Sequence, residues 1–499
     1  MTTEAQSTPS MEREFAETTT LHGMSRVFGA TKTLFKIAWI CIMLGCLGVC
    51  IWQISDRVRR FLEFKATTEI SLEYVSSLNF PAVTVCNFNR YRISQINQSD
   101  VKFILYLLDA NDYDYESYDY ESYGDSSQDL SYAWQGDSGS FNYTAFTLRA
   151  GFTMDNDTLI ECEWRGKEDA CSSANFSHVF TSLGNCWTFN SGITRPVLKG
   201  NQAGSGNGLK LLIDVQQSEY TETSTGNLEA GLKVLVHDQE TPASADSGGL
   251  AVPPGVHAFI GVKKQRIINL NPPYGQCNSS KTLSRYNANY TLEACNIECR
   301  AEAVVSNCGC RLVRHPGDEP ECSPQQTSGC AKDILKKLKS GELESCNCPV
   351  PCNYTTFTTS LSTATLPSQM VAQSLIDKYQ NYYPGYDLFN SSTGENATTT
   401  LTEEYIRNNW VLLDVYYEEI NLQKFVQSEA ITPSGLISDI GGQLGLFLGA
   451  SFITLAEILS YFARKIEHIC KINKGGKQFA IGPEQDRDNN DLPSKEDSV

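Results

Sequence analysis

Between Ile431 and Glu457 runs an apolar segment carrying residues that a plain hydrophobic anchor does not need. Asp439 is its one charge before Glu457, Gln443 and Ser451 add polar groups, and Gly441, Gly442, Gly445 and Gly449 strip side chains from its surface. Ionisable and polar groups at membrane depth are costly unless they face water or each other. A water-filled pore meets that need. Gly441, Gly445 and Gly449 recur every fourth residue and share one helix face, where backbones can approach closely; that spacing alone also fits a packing seam between two anchor helices. Small residues at Gly449, Ala450 and Ser451 would let carbonyl oxygens turn toward a pore axis and replace the water around an ion. Asp439, about one turn inside the outer end, would form a ring of acids that concentrates cations at the mouth. The chemistry is therefore dehydration and passage of a cation rather than bond-making. One helix cannot enclose a channel, so the sequence predicts an oligomer.

The elements that must hold this segment follow from hydropathy. Ile37–Trp52 is uncharged and apolar, and Leu34, Phe35 and Ile54 extend it to roughly the 20 residues that span a bilayer. A polar stretch precedes it, which separates it from a cleavable signal sequence. The expected division is a cytoplasmic segment 1–33, a first membrane helix 34–55, an extracellular domain 56–429, a second membrane helix 430–461 and a cytoplasmic tail 462–499. Two spans put both termini on one side. Arg464, Lys465, Lys471, Lys474 and Lys477 after the second span mark that side as cytoplasmic.

The intervening segment belongs to an oxidising compartment. Of the 18 cysteines, Cys41, Cys46, Cys50 and Cys470 lie in or beside the spans, and the remaining fourteen fall between Cys86 and Cys352. That even number reads as seven disulfides. Nine Asn-X-Ser/Thr sites share the region, at Asn97, Asn142, Asn156, Asn175, Asn278, Asn289, Asn353, Asn390 and Asn396. No histidine stands at zinc-ligand spacing, so neither a metal site nor another cofactor is expected. A formal charge of -18 argues against a nucleic-acid partner, because phosphate binding needs a basic face. The stretch Asp109–Asp129, with repeated Asp-Tyr and Glu-Ser-Tyr units, reads as an acidic surface loop able to attract a basic peptide or a cation. Gly204-Ser205-Gly206-Asn207-Gly208 lacks the context of a phosphate loop and reads as a flexible turn.

Several motifs resemble the epithelial sodium channel, degenerin and acid-sensing channel family. Gly449-Ala450-Ser451 is similar to that family's selectivity filter. His22-Gly23 resembles its cytoplasmic gating pair, and Asn79-Phe80-Pro81-Ala82-Val83-Thr84-Val85-Cys86 its ectodomain opening. His237-Asp238-Gln239-Glu240, Cys308-Gly309-Cys310-Arg311 and Pro316-Gly317-Asp318 follow in order. The resemblance implies an α+β membrane protein in which two transmembrane helices flank a disulfide-rich extracellular domain. That domain would have a β-sheet palm, a helical thumb and a finger. The assembly would be a homotrimer or a heterotrimer with related subunits, in the plasma membrane and its lipid bilayer. The implied function is an amiloride-sensitive channel passing Na+, with Ca2+ or Cl- as modulators. It also implies the pairs Cys86–Cys186, Cys162–Cys171, Cys277–Cys352, Cys295–Cys348, Cys299–Cys346, Cys308–Cys330 and Cys310–Cys322. Cys295 and Cys299 stand one helical turn apart, and Cys346 and Cys348 return antiparallel, which fits two staggered helices. Val411–Tyr417 and Leu209–Val215 have the composition and length of palm strands. Phe64 and Tyr274 match an aromatic pair that couples thumb to membrane helix, and Ile420-Asn421 resembles a linker between the last palm strands.

The stimulus is less plainly written. Glu219, Glu240 and Asp414 resemble members of the acid-sensing carboxylate cluster, yet Lys332 and Lys336 stand where partner acids are expected. A lysine there would lower the pKa of a carboxylate instead of raising it. Lys65-Ala66 replaces an expected histidine pair, and Leu72 and Gln423 replace palm acids. Extracellular protons and a peptide ligand therefore both stand as stimuli, with constitutive or bile-acid-modulated activity as the alternative. From other classes, an enzyme lacks any visible constellation, and a glycosylated receptor or adhesion protein without a pore leaves Asp439 and Gln443 unexplained.

Overall fold

The computed structural model describes residues 11–107, 141–222, 227–278, 281–285, 289–380, 387–389, 396–398 and 401–475. The acidic stretch Asp109–Asp129, the site at Asn390, the side chain of Asn396 and the tail beyond 475 fall outside them. The chain separates into two compact units, residues 1–65 with 429–499, and residues 66–428.

The larger unit is built on two sheets. The strands of these two sheets in chain order are β1 Ala66–Tyr74, β2 Ala82–Asn87, β3 Leu159–Trp164, β4 Phe176–Thr181, β5 Gly184–Phe189, β6 Leu209–Asp214, β7 Leu232–His237, β8 Leu250–Val252, β9 Val256–Ile268, β10 Asn353–Thr365 and β11 Trp410–Glu429. One mixed sheet runs β10-β9-β11-β6-β3, with β1 also pairing β11, and the other runs β8-β7-β2-β5-β4. Both strands expected for the palm lie side by side at the centre of the first sheet, in antiparallel register Leu413 to Leu211. Neither shows the one-sided burial of a half-solvated strand. Five of six β6 residues are buried, and Trp410–Tyr417 is buried but for two half-buried positions. Runs of Leu, Ile and Val covered on both faces produce this pattern.

The sheets close on one apolar core in which Phe80, Phe189, Leu211, Ile213, Leu232, Ile260, Leu413 and Tyr417 are nearly solvent-free. Phe80 meets Trp164 and Tyr417 edge-on at centroid distances of 4.8 and 5.8 Å, the arrangement the ring quadrupoles favour. Burial raises the Tyr417 phenol far above its usual value, and its hydroxyl donates to the Asn79 carbonyl at 2.5 Å. The Phe-Pro-Ala-Val-Thr segment is thus the core of the second sheet.

The helical part carries the disulfide ladder. Helix Leu292–Cys308 is capped by Thr291, whose hydroxyl accepts from Ala294 N, and it ends on Gly309 at φ +69°, a left-handed value that favours glycine. Disulfides join Cys295 to Cys348 and Cys299 to Cys346, and others join Cys308 to Cys330, Cys310 to Cys322 and Cys277 to Cys352. Cys86–Cys186 and Cys162–Cys171 complete seven. The partner of the helix differs from expectation. Residues 346–350 form no helix; the next one, Lys332–Ser340, precedes them. The geometry still matches, since four helical residues rise about 6 Å and two extended residues about 6.6 Å. An extended strap can therefore meet every turn of a helix.

In the smaller unit, helix Thr33–Leu62 is long and apolar enough to cross a membrane. Its 30 residues span about 45 Å, against a hydrocarbon core of about 30 Å. The excess over the expected 34–55 is the polar turn Asp56–Arg60, closed by an Arg60–Asp56 ion pair of 2.8 Å. The second apolar segment is not one helix. Pro433–Leu448 and Phe452–Gly475 are separate helices, bent 71° to each other across the break at residues 449–451. The second continues beyond 461, where the span was expected to end.

Candidate pore and stimulus-sensing residues

The break is made by local backbone chemistry. Gly449 adopts φ +64° and donates to the Gly445 carbonyl at 3.0 Å, while Ala450 N reaches back to Leu444 O at 3.2 Å. Ser451 then starts the next helix: its hydroxyl accepts from Thr454 N at 3.3 Å and its own N–H donates to Thr454 Oγ1 at 3.0 Å. Gly-Ala-Ser is thus a C-cap followed by an N-cap, a stop and a restart within three residues.

The N-terminal segment is packed into this break. His22 N donates to the Leu448 carbonyl at 2.9 Å, and a Cβ placed on Gly449 would stand 1.9 Å from His22 Nδ1. Gly23 has φ +91° and lies against Met43 of the first membrane helix. Thr20 Oγ1 and Thr454 Oγ1 are 2.5 Å apart. Glu457 Oε2 accepts from Thr20 N and Thr19 Oγ1 at 3.3 Å each, so this acid holds the N-terminal segment. The His-Gly pair and the Gly-Ala-Ser break, separated by more than 400 residues, form one site. Sequence reading missed Thr19, Thr20 and Thr454 because hydroxyl pairing across that distance leaves no periodic trace.

Two further residues have environments the sequence did not indicate. Asp439 is not a bare acid: Arg57 Nε lies 3.6 Å from its Oδ2, both side chains about 40% exposed. Gln443 Oε1 is buried without a partner. Gly441 and Gly442 lie exposed on the same helix, and a Cβ there would meet nothing within 4 Å.

The three acids singled out for sensing do not share partners. Glu219 Oε2 accepts from Ser94 N at 3.0 Å, and Glu240 Oε1 accepts from Asn289 Nδ2 at 3.1 Å. Asp414 is 1% exposed on β11. Its Oδ2 is held by the Ser205 hydroxyl and by Gly206 N at 2.9 Å. The glycine-rich turn is therefore a packed cradle, since a Cβ on Gly208 would reach 1.9 Å from the Val415 carbonyl. The group that burial moves most usefully is Asp214, which sequence reading did not pick. Desolvation pushes its carboxyl up to about 7, although Gln216 N and the Tyr405 hydroxyl each donate to it at 2.9 Å. His237, in the His-Asp-Gln-Glu motif, is held below its ordinary value by burial and contacts Thr84 Oγ1 at 2.8 Å.

Ile420 packs on the core and Asn421 is 1% exposed. They sit where β11 slips against β9: Val262 faces Tyr417 and Lys264 faces Leu422, so residues 418–421 oppose Lys263 alone. Glu418 closes the bulge with a 3.0 Å ion pair to Lys263. Gln423, at a place where an acid was expected, accepts from Gln265 Nε2 at 3.0 Å. Phe64 follows the first membrane helix at φ +48°, and Tyr274 follows Pro272-Pro273 in the larger unit. Asn97, Asn142, Asn156, Asn278, Asn289 and Asn353 are exposed and Asn175 is half-buried.

An apolar helix long and apolar enough to cross a membrane, a second apolar segment broken at residues 449–451 and a disulfide-stapled mixed-sheet domain are the features a membrane channel subunit would combine. The comparisons agree. Residues 15–461 match the family described as amiloride-sensitive sodium channel, and the chain belongs to that family. It is 35% identical to acid-sensing ion channel 1C of Danio rerio over 91% of this chain and 83% of that one. It is 34% identical to acid-sensing ion channel 2 of Homo sapiens over 92% and 87%. To the bile acid-sensitive ion channel of Mus musculus it is 32% identical over 90% and 87%. A cryo-EM structure of a proton-activated chloride channel aligns over 86% of this chain at 6% identity and a TM-score of 0.31, a likeness that carries no argument.

Proposed function

We propose that the chain is one subunit of a trimeric, sodium-selective, amiloride-sensitive channel of the plasma membrane, homomeric or built with related subunits, with both termini cytoplasmic and residues 66–428 outside. The observation that carries this reading is the stop and restart at Gly449-Ala450-Ser451. A helix that ends and begins again within the apolar segment frees carbonyl groups, of which His22 N takes that of Leu448 while others can turn to water or an ion. Pro433–Leu448 and Phe452–Gly475 together make the second span, with Asp439 and Gln443 on the outer half and the Gly-Ala-Ser carbonyls at the constriction. Arg57 tempers the charge of Asp439, so the selectivity of the pore rests more on the carbonyls than on an acid ring.

An extracellular stimulus opens the pore. The separate partners of Glu219, Glu240 and Asp414, together with the lysines at 332 and 336, support a stimulus other than relief of repulsion between those three acids. A peptide ligand remains in keeping with the scaffold, and the bile acid-sensitive relative supports the alternative of a constitutive or bile-acid-modulated channel. The test is two-electrode recording from oocytes expressing the chain alone, stepping from pH 7.4 to 5 and then applying amidated neuropeptides or a bile acid. An amiloride-blocked sodium current under any of these supports the reading. Surface-expressed protein that conducts under none of them, with or without coexpressed relatives, refutes it in favour of a receptor without a pore.

A further inference from the structure

A recess of about 590 Å³ opens in the smaller unit where the short helix Met24–Gly29 passes into the membrane helix Thr33–Leu62. The passage is extended backbone, with ψ of 130° at Ala30 and 128° at Lys32, so residues on either side of it line one space. Among them are Arg26 and Lys32, which bring charge, Ser25 and Thr31, which bring hydroxyls, and the aromatic residues Phe35 and Trp39. No Asp or Glu is among the described residues that line it. The two charges are also uncommitted: neither the Arg26 nor the Lys32 side chain makes an ion pair or hydrogen bond with a described residue. The other end of the same helix differs, since Arg57, Arg60 and Lys65 there pair with Asp439, Asp56 and Glu63.

The order of these groups along the helix follows the layers of a bilayer. At 1.5 Å per residue, Phe35 lies about 5 Å and Trp39 about 10 Å further along the axis than Lys32. The polar layer of a leaflet is about 5–8 Å deep. With Lys32 at the level of the headgroup phosphates, Trp39 reaches the upper acyl chains and Phe35 lies between, the depth at which aromatic rings settle in a membrane. Leu34, Ile37 and Ile40 stand exposed on the same stretch, an apolar surface suited to acyl chains and not to water. The recess is thus a polar, cationic space set directly above a lipid-facing one.

We propose that this recess holds the phosphate of an anionic phospholipid headgroup. Arg26 offers the phosphate oxygens paired N–H donors and Lys32 offers a point charge, Ser25 and Thr31 add hydroxyl donors, and the acyl chains run down past Phe35 and Trp39. A zwitterionic lipid carries its own cation beside the phosphate and gains less from a wall without carboxylates. The inference rests on the reading of Thr33–Leu62 as a membrane helix with a cytoplasmic N-terminal end, where the leaflet is rich in anionic lipid; it does not depend on conduction.

The test uses the full chain purified in detergent and titrated with phosphatidic acid, with phosphatidylcholine of the same acyl chains and with inorganic phosphate, bound lipid being counted by native mass spectrometry. One phosphatidic acid per subunit is expected to bind saturably, at least tenfold more tightly than phosphatidylcholine. Arg26→Gln and Lys32→Gln, both at exposed positions, should each weaken it about fivefold, the effect of one basic charge near a lipid surface. Arg464→Gln removes a charge on another helix and should change the affinity less than twofold. Equal binding of the two lipids, or no loss in either Arg26→Gln or Lys32→Gln, would overturn the proposal. So would a loss in Arg464→Gln as large as in those two, which would mean diffuse attraction, or displacement of the lipid by millimolar inorganic phosphate, which would mean a site for a free anion. Because binding is read without current, its failure leaves the pore reading untouched, and a silent channel leaves the lipid count unchanged.

Discussion

Asp214 should make the ectodomain lose stability as pH rises through neutrality. Its carboxyl is fully buried at the end of β6, and desolvation raises it from an ordinary 3.8 to about 7. Because the folded value lies above the unfolded one, the stabilisation is complete below about pH 4 and is lost as pH climbs toward 7 and beyond. At about 1.4 kcal/mol per unit, a gap of about three units sets an upper bound of about 4 kcal/mol. Asp214→Asn removes the charge but keeps one acceptor for Gln216 N or the Tyr405 hydroxyl, at a cost of about 1 kcal/mol. The two proteins should therefore cross: the wild type equal or more stable at pH 4, the variant more stable at pH 8. The assay is thermal unfolding of the full chain in detergent, followed by tryptophan fluorescence at both pH values. A shift of several degrees is expected, at about 2–4 °C per kcal/mol for a large domain. Parallel pH dependence in the two proteins would refute the argument, since it would mean that Asp214 is ionised throughout or sees water.

Other perturbations follow from the same geometry. Gly449→Ala should cost about 1–2 kcal/mol for its left-handed backbone alone, plus the collision with His22; adding His22→Ala should recover only the collision, and simple additivity in thermal unfolding would show that the two residues do not touch. Cys299→Ser with Cys346→Ser should cost about 2 kcal/mol while the neighbouring Cys295–Cys348 bond still closes the strap, and opening both rungs should cost distinctly more; denaturant unfolding distinguishes the cases. Tyr417→Phe deletes one buried hydrogen bond and should cost about 1 kcal/mol, whereas Tyr417→Ala opens a cavity against Phe80 and should cost about 3–5 kcal/mol. Asp439→Asn should leave stability within about 1 kcal/mol, because its pairing with Arg57 is half exposed, and a reduced single-channel sodium conductance would show the acid acting at the mouth.

The sequence spoke clearly wherever a signal was local. The apolar run at 37–52, the strand composition at 209–215 and 411–417, and the Gly-Ala-Ser interruption of a span each rest on neighbours within a few positions. What it concealed was pairing over distance. Nothing near Glu457 or Thr454 announces Thr19 and Thr20, and Arg57 gives no sign that it faces Asp439. Cys346 and Cys348 fit a second staggered helix only in company with Cys295 and Cys299, whereas their own spacing of two is that of an extended chain. The glycines at 204, 206 and 208 looked like slack in the chain because composition cannot show that Asp414 is seated among them. Asp214 reads as one more strand-end acid until its burial is known.

The position of β11 fixes when the ectodomain can be finished. It lies between β6 and β9 and also takes β1, so the first strand made after the membrane helix waits for the last one before the second apolar segment. During synthesis the earlier strands must stand with two facing edges unpaired until residues 410–429 leave the ribosome, and pairings of such large sequence separation form slowly. Throughout that interval the cysteines between Cys86 and Cys352 are all available for oxidation before the sheet that should organise them exists. Correct cross-linking is thus a matter of timing, and a nascent chain arrested shortly before Trp410 would carry every disulfide cysteine and no central strand.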